Sequence, residues 1–235
     1  MPICERLPCV VALVVAAVIL AGVTAAHAQL APSSDEVTGY RGLLAAAARG
    51  DAAEIRRLAA AGDKPDVRDA RGRTPLHVAA HRRHHDAMRA LVAAGADPNV
   101  LDADRYDIVT IAAVAGDVPT LDVALALGGN ARNVTSRYDG TALIAAAHLG
   151  HADVVRRLVA AGAPLDHVNN LGWTALIESI VLGDGGSRHT DTLRVLVDAR
   201  ANVNLPDRDG RTPLALALAR DYESMVAILR QAGAR

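Results

Sequence analysis

The sequence predicts an all-α solenoid of six helix–turn–helix units, on three observations. A phrase recurs: "GRTPLHVAA" runs from Gly72 to Ala80, and "GRTPLALALA" from Gly210 to Ala219. Two markers share one period. Thr74, Asp107, Thr141, Thr174 and Thr212 are spaced by 33, 34, 33 and 38 residues, while Gly62, Gly95, Gly128, Gly162, Arg200 and Gly233 are spaced by 33, 33, 34, 38 and 33. The composition is 51% hydrophobic but includes no Phe, one Trp and four Tyr. Ala, Val and Leu must therefore build the core, which suits thin, closely packed helices. A period of this length marks stacked repeats, none of which buries its apolar face alone.

At the N-terminus, an apolar run from Val10 to Val23 is followed by Ala26-His27-Ala28, the small-x-small pattern of a signal-peptidase site. Residues 1–28 are expected to be a cleaved signal peptide, leaving Gln29 first and placing the chain in the periplasm or outside the cell. The alternative is an uncleaved inner-membrane anchor, because the run approaches the roughly 17 residues that can just cross a bilayer. Cys4 and Cys9 both fall in this segment. A mature chain without cysteine excludes disulfides and thiol chemistry. Residues 29–39, "QLAPSSDEVTG", lack periodicity and read as a flexible lead-in.

From residue 40 each unit decodes in the same way. Thr caps a first helix by accepting from its free N–H groups, and Pro or Ala follows where a missing N–H costs nothing. A turn such as "HLGH" (148–151) leads into a second helix, "ADVVRRLVAAG", whose Val154, Val155, Leu158 and Val159 form one stripe. Gly162 then closes it in a left-handed conformation. An extended stretch, "APLDHVNNLG", turns on Asn and Gly before the next Thr.

Asp69 to Ala80 matches D-x-x-G-x-T-P-L-H-x-A-A almost letter for letter, so the chain resembles the ankyrin repeat family over about Tyr40 to Arg235. Unit one has Arg41 in place of Thr and reads as a polar cap. Unit three has Arg105 for Gly and Asp107 for Thr, but Asp also caps helices. The resemblance implies a curved stack with β-hairpin fingers along one edge, first helices lining a concave face, and another protein as partner. A leading signal sequence is also similar to that of secreted bacterial ankyrin proteins.

Other function classes find little support. The net charge of −1, from 25 basic and 26 acidic residues, gives no footprint for nucleic acid or an anionic membrane. In "GDGGSRHTD", Asp184, Ser187, His189 and Asp191 are too close in sequence to converge as a triad, and no Walker or dinucleotide glycine pattern occurs. No catalysis, cofactor or metal is expected. His77, His81, His84 and His85 include helical i, i+4 spacings, but the interhelix turn separates His81 from His85, and a closed zinc site usually takes four ligands. His77 and His84 also stand where the family commonly places histidine for hydrogen bonding.

Two departures single out unit five. Its 38-residue step adds Asp184 to Arg188 at the interhelix turn, and Glu178 replaces the inward-facing Val78, Ala145 and Leu216 of other units. A buried carboxylate needs a partner, so Arg188 or His189 is expected to fold onto Glu178 and order the loop. An alternative function is a small polar ligand or metal bound at this loop with His148 and His151.

The expected partner surface follows the residue before each cap: Tyr40, Arg73, Tyr106, Gly140, Trp173 and Arg211, with Tyr138 on the same fingers. The resemblance implies that this position points into the groove, and Tyr, Trp and Arg are the side chains that dominate interface energetics. First-helix ends at His81, Arg82, His148, Leu149, Val181 and Leu182 would form the floor. The reading is a monomeric, non-catalytic protein-binding module exported to the envelope.

Overall fold

The computed structural model describes residues 30–235. The expected signal segment and both cysteines lie outside the described residues. Among the described residues thirteen helices follow one another. The first, α1 (Ser34–Gly39), is succeeded by six helix pairs: α2 (Gly42–Arg49) with α3 (Ala52–Ala60), α4 (Pro75–His81) with α5 (His85–Ala93), and α6 (Ile108–Val114) with α7 (Val118–Ala126). Then come α8 (Ala142–His148) with α9 (Ala152–Ala160), α10 (Ala175–Val181) with α11 (Ser187–Asp198), and α12 (Pro213–Leu218) with α13 (Glu223–Gln231). Each first helix packs on the first helices of the neighbouring units, and each second helix on the neighbouring second helices. Two layers result, with one continuous core of Ala, Leu, Val and Ile between them. None of these helices is long and apolar enough to cross a membrane.

The cap marker holds in units two to six and the closing marker in all six. Thr74, Asp107, Thr141, Thr174 and Thr212 are N-caps whose side chains accept from the backbone N–H three residues on. Arg41 occupies the same position and makes no side-chain cap. Gly62, Gly95, Gly128, Gly162 and Gly233 end their helices at φ between 79° and 96°, and Arg200 takes φ 72° in the sixth instance.

Three expectations are corrected. Residues 29–39 are not a featureless lead-in, because Ser34–Gly39 is helical: the Ser33 hydroxyl accepts from the Glu36 N–H, and Glu36 accepts from the Ser33 N–H. The fingers are mostly turns, and among the described residues one carries a strand pair, β1 (Val134–Thr135) against β2 (Gly140–Thr141). The unit-five insertion is only partly loop. Ser187 and Arg188 join α11, which runs 12 residues where other second helices run 9, so the insertion adds a helical turn.

Candidate functional site

Each finger is shaped by one side chain five residues before its cap. Asp69, Asp102, Asn169 and Asp207 each accept, through Oδ1, from the N–H groups two and four residues on, at 2.8 to 3.0 Å. Ser136 does the same through its hydroxyl at 3.2 and 3.4 Å. Such turns give the backbone a partner without a strand ladder. Consecutive fingers are then tied together: the Ala103 N–H donates to Arg71 O at 3.0 Å, Ser136 to Arg105 O at 2.9 Å, and Asn170 to Tyr138 O at 2.9 Å. Arg137 pairs with Asp104 at 2.8 Å and Arg105 with Asp139 at 3.5 Å, crossing between fingers three and four.

The fingers do not present every residue before a cap alike. Tyr106 and Trp173 are half-buried against the core, Arg211 is exposed, and Tyr138 is 41% exposed at the tip of its finger. Tyr40 and Arg73 face the other way energetically. Arg73 is 1% exposed, donating through Nε to Asp69 Oδ2 at 2.7 Å and through Nη2 to Glu36 Oε1 at 2.8 Å and to the Tyr40 hydroxyl at 3.1 Å. The Tyr40 hydroxyl donates to Asp69 Oδ2 at 2.7 Å. Both residues, expected as contact anchors, are committed to holding α1 on the second finger, because Glu36 brings a carboxylate over Arg73 and Arg71. The S-x-x-E spacing of Ser33 and Glu36 was the signal for that helix. Leu171, 38% exposed three residues before its cap as Tyr138 is, joins the exposed row. Sequence reading missed it because, beyond the position next to the cap, it took only an aromatic residue, Tyr138, into the row.

Residues 13–102 and 109–185 match the family described as ankyrin repeats in three copies, and 185–230 the one described as ankyrin repeats in many copies. The chain belongs to the ankyrin repeat family. It is 37% identical over 103 residues to the ankyrin repeat protein YahD of Escherichia coli (strain K12), covering 43% of this chain and 51% of that protein. It is 30% identical over 132 residues to the ankyrin repeat and KH domain-containing protein mask-1 of Caenorhabditis elegans, covering 55% of this chain and 5% of that one. The chain thus spans about half the length of the first relative and a small part of the second. Among solved structures, an ankyrin repeat domain from Acinetobacter baumannii AYE is 41% identical with TM-score 0.77, covering 82% of this chain and 98% of that one. The ankyrin repeat domain of Bcl-3, a member of the IkappaB family, is 27% identical with TM-score 0.75, covering 84% and 88%. Ankyrin repeats are protein–protein interaction modules, generally without catalytic function.

Three of the four histidines of the second ankyrin unit are hydrogen-bonded within the protein. Nδ1 of His77 accepts from the Thr74 N–H at 3.1 Å, and Nε2 donates to the Tyr106 carbonyl at 3.0 Å. His84 donates to Ala48 O at 3.2 Å, and His85 bonds Thr120 Oγ1 at 2.9 Å. His81 ends α4, Arg82 follows it exposed, and α5 begins only at His85, so the i, i+4 pair is split by the turn. The His81 Nε2 is sealed from solvent with no hydrogen bond. Burial, with the nearby His77 and Arg73 charges, pushes the His81 imidazole down to about 4.

The unit-five loop is ordered, but not by Glu178. Arg188 Nη2 donates to Leu149 O at 2.6 Å, and His189 bridges the His148 carbonyl at 3.0 Å and the Asp184 carboxylate at 2.9 Å. The loop therefore docks on the backbone of unit four. A small-ligand site here would have to compete for groups already engaged. On the first-helix floor, Leu149, Val181 and Leu182 are half-buried beside His148, which is 35% exposed. Glu178 lies beneath, its side chain 5% exposed. Its Oε1 accepts from Asn169 Nδ2 at 2.8 Å, and its Oε2 has no hydrogen bond, the His148 Nδ1 standing 3.6 Å away. Burial pushes this carboxyl up to about 7 against the opposing pull of the Asn169 amide.

Proposed function

We propose that this ankyrin chain is a monomeric, non-catalytic module that binds another protein through the fingers of units three to five and the adjoining first-helix ends. One observation carries the reading: Tyr106, Tyr138, Leu171 and Trp173 lie on fingers locked together by backbone hydrogen bonds, two of them more than a third exposed. Aromatic side chains held on a rigid edge bury large areas at little cost in conformational freedom. Arg211 extends the row, while Tyr40 and Arg73 support the edge instead of contacting the partner. The sequence supports export to the envelope, through the apolar run and Ala26-His27-Ala28.

A photo-crosslinking side chain placed at Tyr138 or Leu171 in the native cell is expected to capture one discrete protein. The same probe at Arg156, exposed on second helix α9, is expected to capture nothing. Crosslinking from Arg156 with silence at the finger positions would reverse the assignment. Recovery of Gln29 as the mature N-terminus would support export, and an intact Met1 the anchored alternative.

A further inference from the structure

Glu178 breaks the pattern of its row. The equivalent positions on the other first helices hold Ala45, Val78, Ile111, Ala145 and Leu216, whereas unit five buries a carboxyl there and leaves one oxygen without a hydrogen bond. Placing a half-satisfied carboxyl in an apolar setting costs free energy that the Asn169 bond offsets only in part. The side chains around it supply no countercharge. From α8 comes His148, which burial and the neighbouring His189 hold below the usual histidine range, so it stands neutral at pH 7. Asn169 is uncharged, Arg188 and His189 of α11 are spent on unit-four carbonyls, and Arg220 beyond α12 donates to Leu216 O.

We infer that Glu178 and His148 form a slot that receives a lysine or arginine side chain of the protein partner. This rests on the proposed module and adds the chemistry that the partner must carry. In the structure Oε2 is sealed from solvent with His148 Nδ1 3.6 Å away; binding requires the half-exposed His148 to turn outward, which would leave Oε2 and the imidazole as neighbouring acceptors, a match for a cation with several N–H donors. The half-buried Leu149, Val181 and Leu182 beside the slot suit the methylene stem behind that charge. A cation seated there removes the orphaned oxygen and supplies the missing countercharge at once. Glutamate, aspartate or an apolar tip would leave the carboxyl unsatisfied.

Two measurements on the full chain test this. In a carbon-13 titration of the Glu178 carboxyl, methylguanidinium is expected to lower the midpoint, and uncharged methylurea to leave it in place. An unmoved midpoint with methylguanidinium overturns the inference, whatever peptides bind. In a random peptide library selected on the chain, recovered peptides are expected to carry Lys or Arg between apolar residues and to lose at least ten-fold in affinity against Glu178→Gln. Peptides that crosslink to the Tyr138 edge, lack a basic residue and bind Glu178→Gln equally would sink the slot while leaving the module intact. Peptides that crosslink only to Arg156 would sink both.

Discussion

Glu178 and Arg73 are both buried ionisable residues, with opposite energetic signs. The Glu178 carboxyl is raised to about 7 by burial, from an ordinary value of 4.5. Between those values the folded state holds a proton that the unfolded chain has lost, so stability falls as pH rises through this window and stays low above it. Glu178→Gln keeps an acceptor for Asn169 and removes the titration. The variant should match the wild type near pH 4 and exceed it at pH 8, by an upper bound of about 3 kcal/mol. Denaturant melts of both proteins across pH 4 to 8 check this, and a difference that did not change with pH would refute it. His81 is no confounder: its lowered value destabilises the fold as pH falls, equally in both proteins. Arg73 is the reverse case, a buried cation met by Asp69 and Glu36. Arg73→Ala would leave Asp69, whose side chain is 6% exposed, without the buried cation that pairs with it, and should cost about 3 kcal/mol in chemical denaturation. A partner-contact role would instead leave the melt unchanged.

The repeating elements were legible from their terminal residues, because caps and left-handed closures are local requirements that sequence states directly. The five expected caps hold, including Asp107, as does Arg200 in place of glycine. An L-residue at φ 72° carries a steric cost that glycine avoids, partly offset by glycine's greater freedom in the unfolded chain. Arg200 is exposed. Arg200→Gly should therefore raise stability by about 0.5 to 1 kcal/mol, read from the denaturation midpoint at an unchanged slope. What sequence did not yield was tertiary choice. Arg188 and His189 have the N–H donors that Glu178 could accept from, yet they bond the backbone carbonyls of Leu149 and His148 instead. Tyr40 and Arg73 have the composition of interface anchors, and only the placement of α1 shows them engaged. The composition of a row suggests contact chemistry, but burial decides which members are available for it.

At the scale of the whole molecule, stability is a chain of neighbour terms, since each first helix packs on the first helices before and after it. Cooperativity then depends on the weakest link, and unit three is its natural location because its pattern departs furthest from the repeat. Asp107 compensates within that unit. Its Oδ1 accepts from the Thr110 N–H and the Thr110 hydroxyl at 2.8 Å each, while Oδ2 accepts from Asn133 Nδ2 of the next finger at 2.9 Å. A threonine cap has one side-chain oxygen, which faces the N–H of its own helix, and carries no counterpart of the second oxygen by which Asp107 reaches Asn133. Asp107 thus caps its own helix and ties unit three to unit four, where Thr110, its proton given to Asp107, accepts from the Thr135 hydroxyl at 3.1 Å. Asp107→Ala should cost about 2 to 3 kcal/mol, combining a lost cap with partners left unsatisfied. Because the loss falls in the middle of the stack, it should also uncouple the units on either side. Hydrogen exchange would then show α2 to α5 and α8 to α13 opening with separate free energies, where the wild type opens them together. Asp107→Thr restores the cap alone, so it should recover part of the stability and keep the two halves uncoupled. Full recovery of coupling by threonine would show that the bond to Asn133 contributes nothing to joining the halves.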